Sequence, residues 1–166
     1  MLTNAQLLTL KNDILADPEL SAIPNTADGA FAIAAAYALP ASPDFWVSRT
    51  RVTQAEIVGS TSLDGTTWSW PVFIGRSQGE RDGWREMFAD TGYINMALPN
   101  IVQGLQDIFS GVSGAAQRTH LLAVRRRLAN RAEKLFSSGT GSTASPATMT
   151  VEGTLTYQDI LNARAL

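Results

Sequence analysis

The sequence predicts a mainly α protein: a helical bundle of about five helices over residues 1–137, then a C-terminal extended arm (a Gly/Ser/Thr linker, a short strand and a terminal helix) over residues 138–166. Three observations predict it. Helix-start signals recur along the chain: Thr3-Asn-Ala-Gln6, Thr53-Gln-Ala-Glu56 and Ser77-Gln-Gly-Glu80 each precede apolar residues at helical spacing. A long basic stretch, Ala115 to Phe136, places Leu121, Val124, Leu128, Ala132 and Leu135 on one stripe that a helix would bury. After Ser137–Pro146 the apolar period changes to two, with Met149, Val151, Leu155 and Tyr157 on one side of a strand and Thr150, Glu152, Thr154 and Thr156 on the other.

Taken in order, the first helix follows the Thr3 box, carries Leu7, Leu10 and Ile14, and ends at Pro18. Asn25 or Thr26 caps a second helix, with Asp28 in its positive first turn. The body of that helix, Ala30 to Tyr37, is rich in small residues and suits close packing. Pro40 and Pro43 close it. Phe45 to Val52 reads as extended, and the Thr53 box opens a short helix that ends near Gly59. Residues 60–75 read as loop, with alternating Trp68, Trp70 and Val72 as a possible short strand. The helix after Ser77 carries Trp84, Met87 and Phe88 and stops at Gly92. Pro99 fits a first helical position, and Ile101, Val102, Leu105, Ile108 and Phe109 follow at helical spacing. The 115–136 stretch is one helix on this reading, starting near Ser113. The strand Met149–Tyr157 has no hairpin partner nearby, so its expected partner is distant in sequence or in another subunit. A terminal helix runs from Tyr157 to Ala165.

Composition narrows the function classes. A net charge of −2 gives the whole molecule no polyanion-binding character. Basic residues are nonetheless concentrated: Arg118, Arg125, Arg126, Arg127, Arg131 and Lys134 lie in one stretch, opposed there only by Glu133. Arg125, Arg126, Arg127 and Arg131 form the candidate basic cluster, facing either neighbouring subunits or DNA phosphates. Three consecutive arginines span most of a helical turn and cannot share one face, so base reading is not expected. Cysteine is absent, which removes disulfides, thiolate ligands and cysteine nucleophiles. His120 is the lone histidine and has no nucleophile or metal motif around it, so a structural or surface role is expected. Ser138-Gly-Thr-Gly-Ser142 follows a helix and is not followed by lysine, so it reads as a linker and not as a phosphate loop. No catalytic, metal or cofactor site is expected. Met1–Gln6 has no signal-peptide pattern. The most apolar window, Ala30 to Leu39, would span only about 15 Å as a helix against a bilayer of roughly 30 Å.

Four segments carry a family resemblance. Thr3-Asn-Ala-Gln-Leu-Leu-Thr-Leu-Lys-Asn-Asp-Ile-Leu-Ala-Asp-Pro18 resembles the opening of small proteins encoded among the virion structural genes of tailed bacteriophages and prophages. The resemblance returns at Ala132-Glu-Lys-Leu-Phe136, at Gly139-Thr-Gly-Ser-Thr-Ala-Ser-Pro-Ala-Thr-Met-Thr-Val-Glu-Gly153 and at Tyr157-Gln-Asp-Ile-Leu-Asn-Ala-Arg164. It covers both ends of the chain; residues 60–96 depart from the pattern. It implies a non-enzymatic virion protein assembled in the host cytoplasm, similar to the head-completion adaptors that form a ring in the head-tail neck between portal and tail. Its implied partners are copies of itself, portal and tail-completion proteins, and packaged DNA by non-specific contact, with no membrane. The arm residues Met149, Val151, Leu155 and Tyr157 would then reach a neighbouring subunit. A capsid decoration (cement) protein is the main alternative; a tail-completion protein or an assembly chaperone is also compatible with the resemblance, and a small DNA-binding regulator is a further alternative that the acidic balance disfavours.

Overall fold

The computed structural model describes the whole chain, Met1–Leu166. In chain order the elements are α1 (Asn4–Ala16), α2 (Pro18–Ser21), α3 (Ala27–Ala38), β1 (Trp46–Ser48), β2 (Val52–Thr53), α4 (Gln54–Gly59), α5 (Trp70–Ile74), α6 (Gln78–Ala89), β3 (Tyr93–Ile94) and α7 (Pro99–Ile108). A 3₁₀ turn, Val112–Gly114, leads into α8 (Ala115–Val124), followed by β4 (Arg126–Leu128), α9 (Arg131–Leu135), β5 (Ser137–Ser138), β6 (Thr148–Met149) and α10 (Tyr157–Ala165). The protein is mainly α. Its ten α-helices are divided between two compact units, Met1–Val47 with Leu128–Leu166, and Ser48–Arg127. The chain passes between the units twice, within β1 and within β4.

Caps set the helix starts, because each supplies an acceptor to backbone N–H groups that have no partner inside the helix. Thr3, Thr53 and Ser77 form the expected reciprocal boxes with Gln6, Glu56 and Glu80, and Thr26 caps α3. Thr156 and Asp159 make another box at the start of α10.

The first unit is built on α1, α3 and α10. Leu7, Leu10 and Ile14 from α1, Ile33 and Tyr37 from α3, and Ile160 and Ala163 from α10 form one core with Leu155 and Phe136. The Gly/Ser/Thr segment is a packed loop of a hairpin: β5 pairs antiparallel with β6, Ser137 opposite Met149 and Ser138 opposite Thr148. The Gly141 carbonyl accepts from Trp46 N–H at 2.8 Å, and a Cβ at Gly141 would overlap the Phe45 ring. The expected division at 137/138 is therefore corrected. Residues 138–166 close the core of the first unit and do not form a separate arm.

The clamp behind this fold-back is a fifth capping box. Asn130 caps α9, and the buried Glu133 carboxylate accepts from Asn130 N–H at 3.1 Å and from Gly153 N–H at 2.8 Å. The Asn130 side-chain amide donates to Gly153 O at 3.0 Å. Gly153 has φ +96°, a conformation in which side chains with a Cβ are strained. The strand expected over Met149–Tyr157 thus stops after Met149.

The second unit centres on aromatic rings. Trp84 lies with its ring centre 5.0 Å from those of Trp68 and Phe88 and 5.8 Å from Phe109. Ile57, Ile94, Leu105, Leu121 and Val124 complete this core, and β2 pairs with β3, Val52 opposite Ile94. Residues 70–74 are helical, where a loop or strand was expected; Pro71 supplies the first-turn φ.

The single helix expected over 115–136 is interrupted, and two competing interactions break it. Residues 125 and 129 enter strand-type hydrogen bonds: Arg49 N–H donates to Arg125 O and Ala129 N–H to Phe45 O, each at 2.8 Å. Asn130 then restarts the helix as a cap. The stripe is broken with it: Leu128 is 43% exposed, while Ala132 is buried.

Ile160→Ala should cost about 2–5 kcal/mol, since it empties a fully closed core site. Leu128→Ala should cost far less. Urea unfolding midpoints compare the two, and equal costs would mean that α10 does not close the first core.

Candidate functional site

The expected basic cluster divides between the units. Arg125, Arg126 and Arg127 belong to the second unit and Arg131 to the first. Their chemical settings differ more than their spacing suggests.

Arg131, the first residue of α9, reaches two carboxylates of α1 and its C-cap. Its Nη2 lies 2.9 Å from Asp17 Oδ2 and 3.2 Å from Asp13 Oδ2. Its guanidinium carbon sits 4.7 Å from the centre of the Tyr37 ring. The Tyr37 hydroxyl donates to the same Asp13 oxygen. Burial first, and then the Asp13 bond, raise the Tyr37 pKa well above the ordinary phenol value. The Leu20 N–H foremost, with Arg131 behind it, holds the Asp17 carboxyl below its usual 3.8. This knot holds α9 to α1 and α3 within one unit, so Arg131 already spends its charge inside the chain.

In the second unit, Arg126 pairs with Asp64, and Arg49 pairs with Glu56. Arg49, Arg126 and Arg127 line one cleft of about 340 Å³ together with Ser60, Thr61 and Ser62. Thr53 N–H first, then Arg49, lower the Glu56 pKa below 4.5. The cleft is basic, with carboxylates of the same chain answering Arg49 and Arg126. An arriving anion would have to compete with them.

Arg125 stands apart. Its backbone ends α8, but its guanidinium makes no hydrogen bond or ion pair, and its buried Nε has no acceptor. Burial lowers its pKa from the ordinary arginine value.

The four residues expected to reach a neighbour lie in the first unit. Leu155 is buried in its core, Val151 packs beside it, Met149 pairs with Ser137, and the Tyr157 ring stacks 4.4 Å from that of Phe31 on α3. His120 is fully buried: Nε2 donates to Ile57 O at 2.7 Å, and Nδ1 is 3.1 Å from Thr66 Oγ1. It ties α8 to α4 and the following loop. No group of three or more His, Asp or Glu residues is placed to hold a metal ion. No helix is long and apolar enough to cross a membrane.

Asp64 as the partner of Arg126, and Asp13 and Asp17 as those of Arg131, were missed, because pairing over this sequence distance leaves no local pattern; the Arg49–Glu56 pair beside Arg126 was missed with them. Arg118 was noted only for its charge. Its spacing to Arg125, with Leu121 and Leu122 between, was the available signal.

No protein-family model, curated protein or solved structure matches the chain.

Arg131→Met should destabilise the protein, since it strands Asp13 and Asp17 beside each other. Arg125→Met should leave stability unchanged or raise it, because a partly buried charge without a partner is removed. Denaturant midpoints read both; a larger loss at Arg125 would reverse the assignment. Acid sensitivity follows from the depressed carboxyl groups. Asp17 and Glu56 have folded pKa values below their ordinary 3.8 and 4.5, so their stabilisation is complete above those values. It is lost as pH falls through the lower folded values. Unfolding midpoints measured from neutral pH downward should therefore drop below about pH 4, and Arg131→Met should shrink the Asp17 share of that drop.

Proposed function

We propose that the protein is a non-enzymatic structural component of a tailed-phage virion, a ring-forming head-to-tail adaptor between portal and tail. The observation that carries this reading is the uncovered face of α3. Phe31, Ala32, Ala35 and Ala38 are exposed along it, Leu39 follows, and no charged residue occurs after Asp28. Phe31 is 56% exposed even with Tyr157 stacked on it. A contiguous apolar helix face is a usual mark of a protein interface. Small side chains allow a neighbouring helix to approach closely. The segments that resemble phage virion proteins, at both ends of the chain, supply the context.

The manner of assembly differs from an exchanged arm. The C-terminal segment is used within its own unit, so copies would meet through preformed surfaces. Arg126 and Arg131 are compensated by the chain's own carboxylates, which favours a structural role for them over a DNA-lining one.

Phe31→Glu and Ala35→Glu, both at exposed positions, should keep the fold and disperse the oligomer in sedimentation velocity runs. Antibody labelling of purified particles in the electron microscope should mark one vertex at the neck. Label spread over the capsid would replace the adaptor reading with the decoration one, and unlabelled particles would end both.

A further inference from the structure

Arg118, Leu121, Leu122 and Arg125 stand at i, i+3, i+4 and i+7 on α8 and its C-cap, and so share one face about 10 Å long. Val102, Leu105 and Gln106 from α7 face them across a groove, with Met96 at its floor. The groove is therefore aliphatic along its length and carries a guanidinium near each end.

Neither arginine meets a carboxylate. Arg118 donates from Nη1 to the carbonyls of Phe109 and Gly111, the latter at 2.8 Å. Arg125 donates from its side chain to nothing. The chain does not lack acids for its arginines: Arg49, Arg76, Arg85, Arg126 and Arg131 each have one within ion-pair distance. A guanidinium partly stripped of water with no acceptor carries a standing desolvation cost. A carboxylate arriving from outside would offset it, and aliphatic walls that exclude water would strengthen the pair.

Size narrows the occupant. The groove encloses a cavity of only about 20 Å³. Small-molecule pockets run to roughly 300–1,000 Å³. The groove suits the tip of one aliphatic side chain, with its charges placed to meet acids on either side. A nucleic-acid backbone offers phosphates but no aliphatic group for Leu122 and Val102.

We propose that the α7–α8 groove is a docking site for an acidic-aliphatic segment of a partner protein, whose aliphatic side chain enters beside Leu122 and Val102 while its carboxylates pair with Arg125 and Arg118. The inference deepens the assembly reading above and rests on it in taking the occupant to be another protein.

The test uses the full chain and a blocked helical peptide with leucines between two glutamates one α8-face length apart, that is seven positions. Calorimetry should register binding that weakens as salt rises. Replacing both glutamates with glutamine, or Arg125→Gln in the protein, should weaken it by about tenfold or more. Leu122→Ala should weaken it without changing the salt dependence. Circular dichroism checks that each variant is folded; Arg125 has no partner to lose, so its variant keeps the fold. Equal binding of the glutamate and glutamine peptides, or no binding of either, overturns the proposal. So does a short DNA duplex that binds the groove in place of the peptide. Concentration-dependent self-association that Arg125→Gln abolishes would assign the groove to a second copy, and also overturns the partner assignment. These readouts concern the groove alone, so their failure is distinct from particles that carry no label at the neck.

Discussion

The constraint on which the first unit depends is the double hold on Gly153. Its N–H goes to the buried Glu133 carboxylate and its carbonyl receives the Asn130 amide. Both holding residues belong to the capping box that restarts the helix at α9. One short motif therefore ends the strand at β4, starts a helix, and draws the C-terminal segment back onto α1 and α3. Each buried donor left without Glu133 would cost roughly 1–3 kcal/mol, against a total stability of about 5–15 kcal/mol for an ordinary domain. Leu155, Ile160 and Ala163 reach the core only because the chain turns at this point.

This fold-back constrains how the protein could associate. A C-terminal segment that supplies core side chains to its own unit is not available for exchange without unfolding that unit. Any contact with another molecule would use surfaces that the fold leaves open. The α3 face is one and the α7–α8 groove another. They differ in chemistry: the first is neutral and suits a close helix approach, whereas the second couples aliphatic walls to uncompensated charge.

The arginines show why charge counted along a sequence is a poor guide to charge on a surface. Arg131 and Arg126 come from the same short basic run, yet each is answered by carboxylates far away in the chain. Arg125, their neighbour, has none. Ion pairs that bridge exposed side chains contribute little. Arg131 is of another kind, because it joins two carboxylates and an aromatic ring and so positions three helices at once.

The sequence by itself determined what is local. Thr3, Thr26, Thr53, Ser77 and Pro99 mark helix starts because a side-chain acceptor or a fixed φ acts within one turn. The α10 span and the core residues of α1 were legible for the same reason, through spacing that repeats every turn. Tertiary structure alone decided the break after Val124, where strand-type hydrogen bonds from Arg49 and to Phe45 outweigh a continuous helical stripe. It also decided the return of residues 150–166, since a buried carboxylate can hold a backbone N–H twenty positions away without leaving any periodic trace. The uncompensated state of Arg125 belongs to the same class: whether a charge has a partner depends on which carboxylates the fold brings near, and spacing along the chain does not encode that.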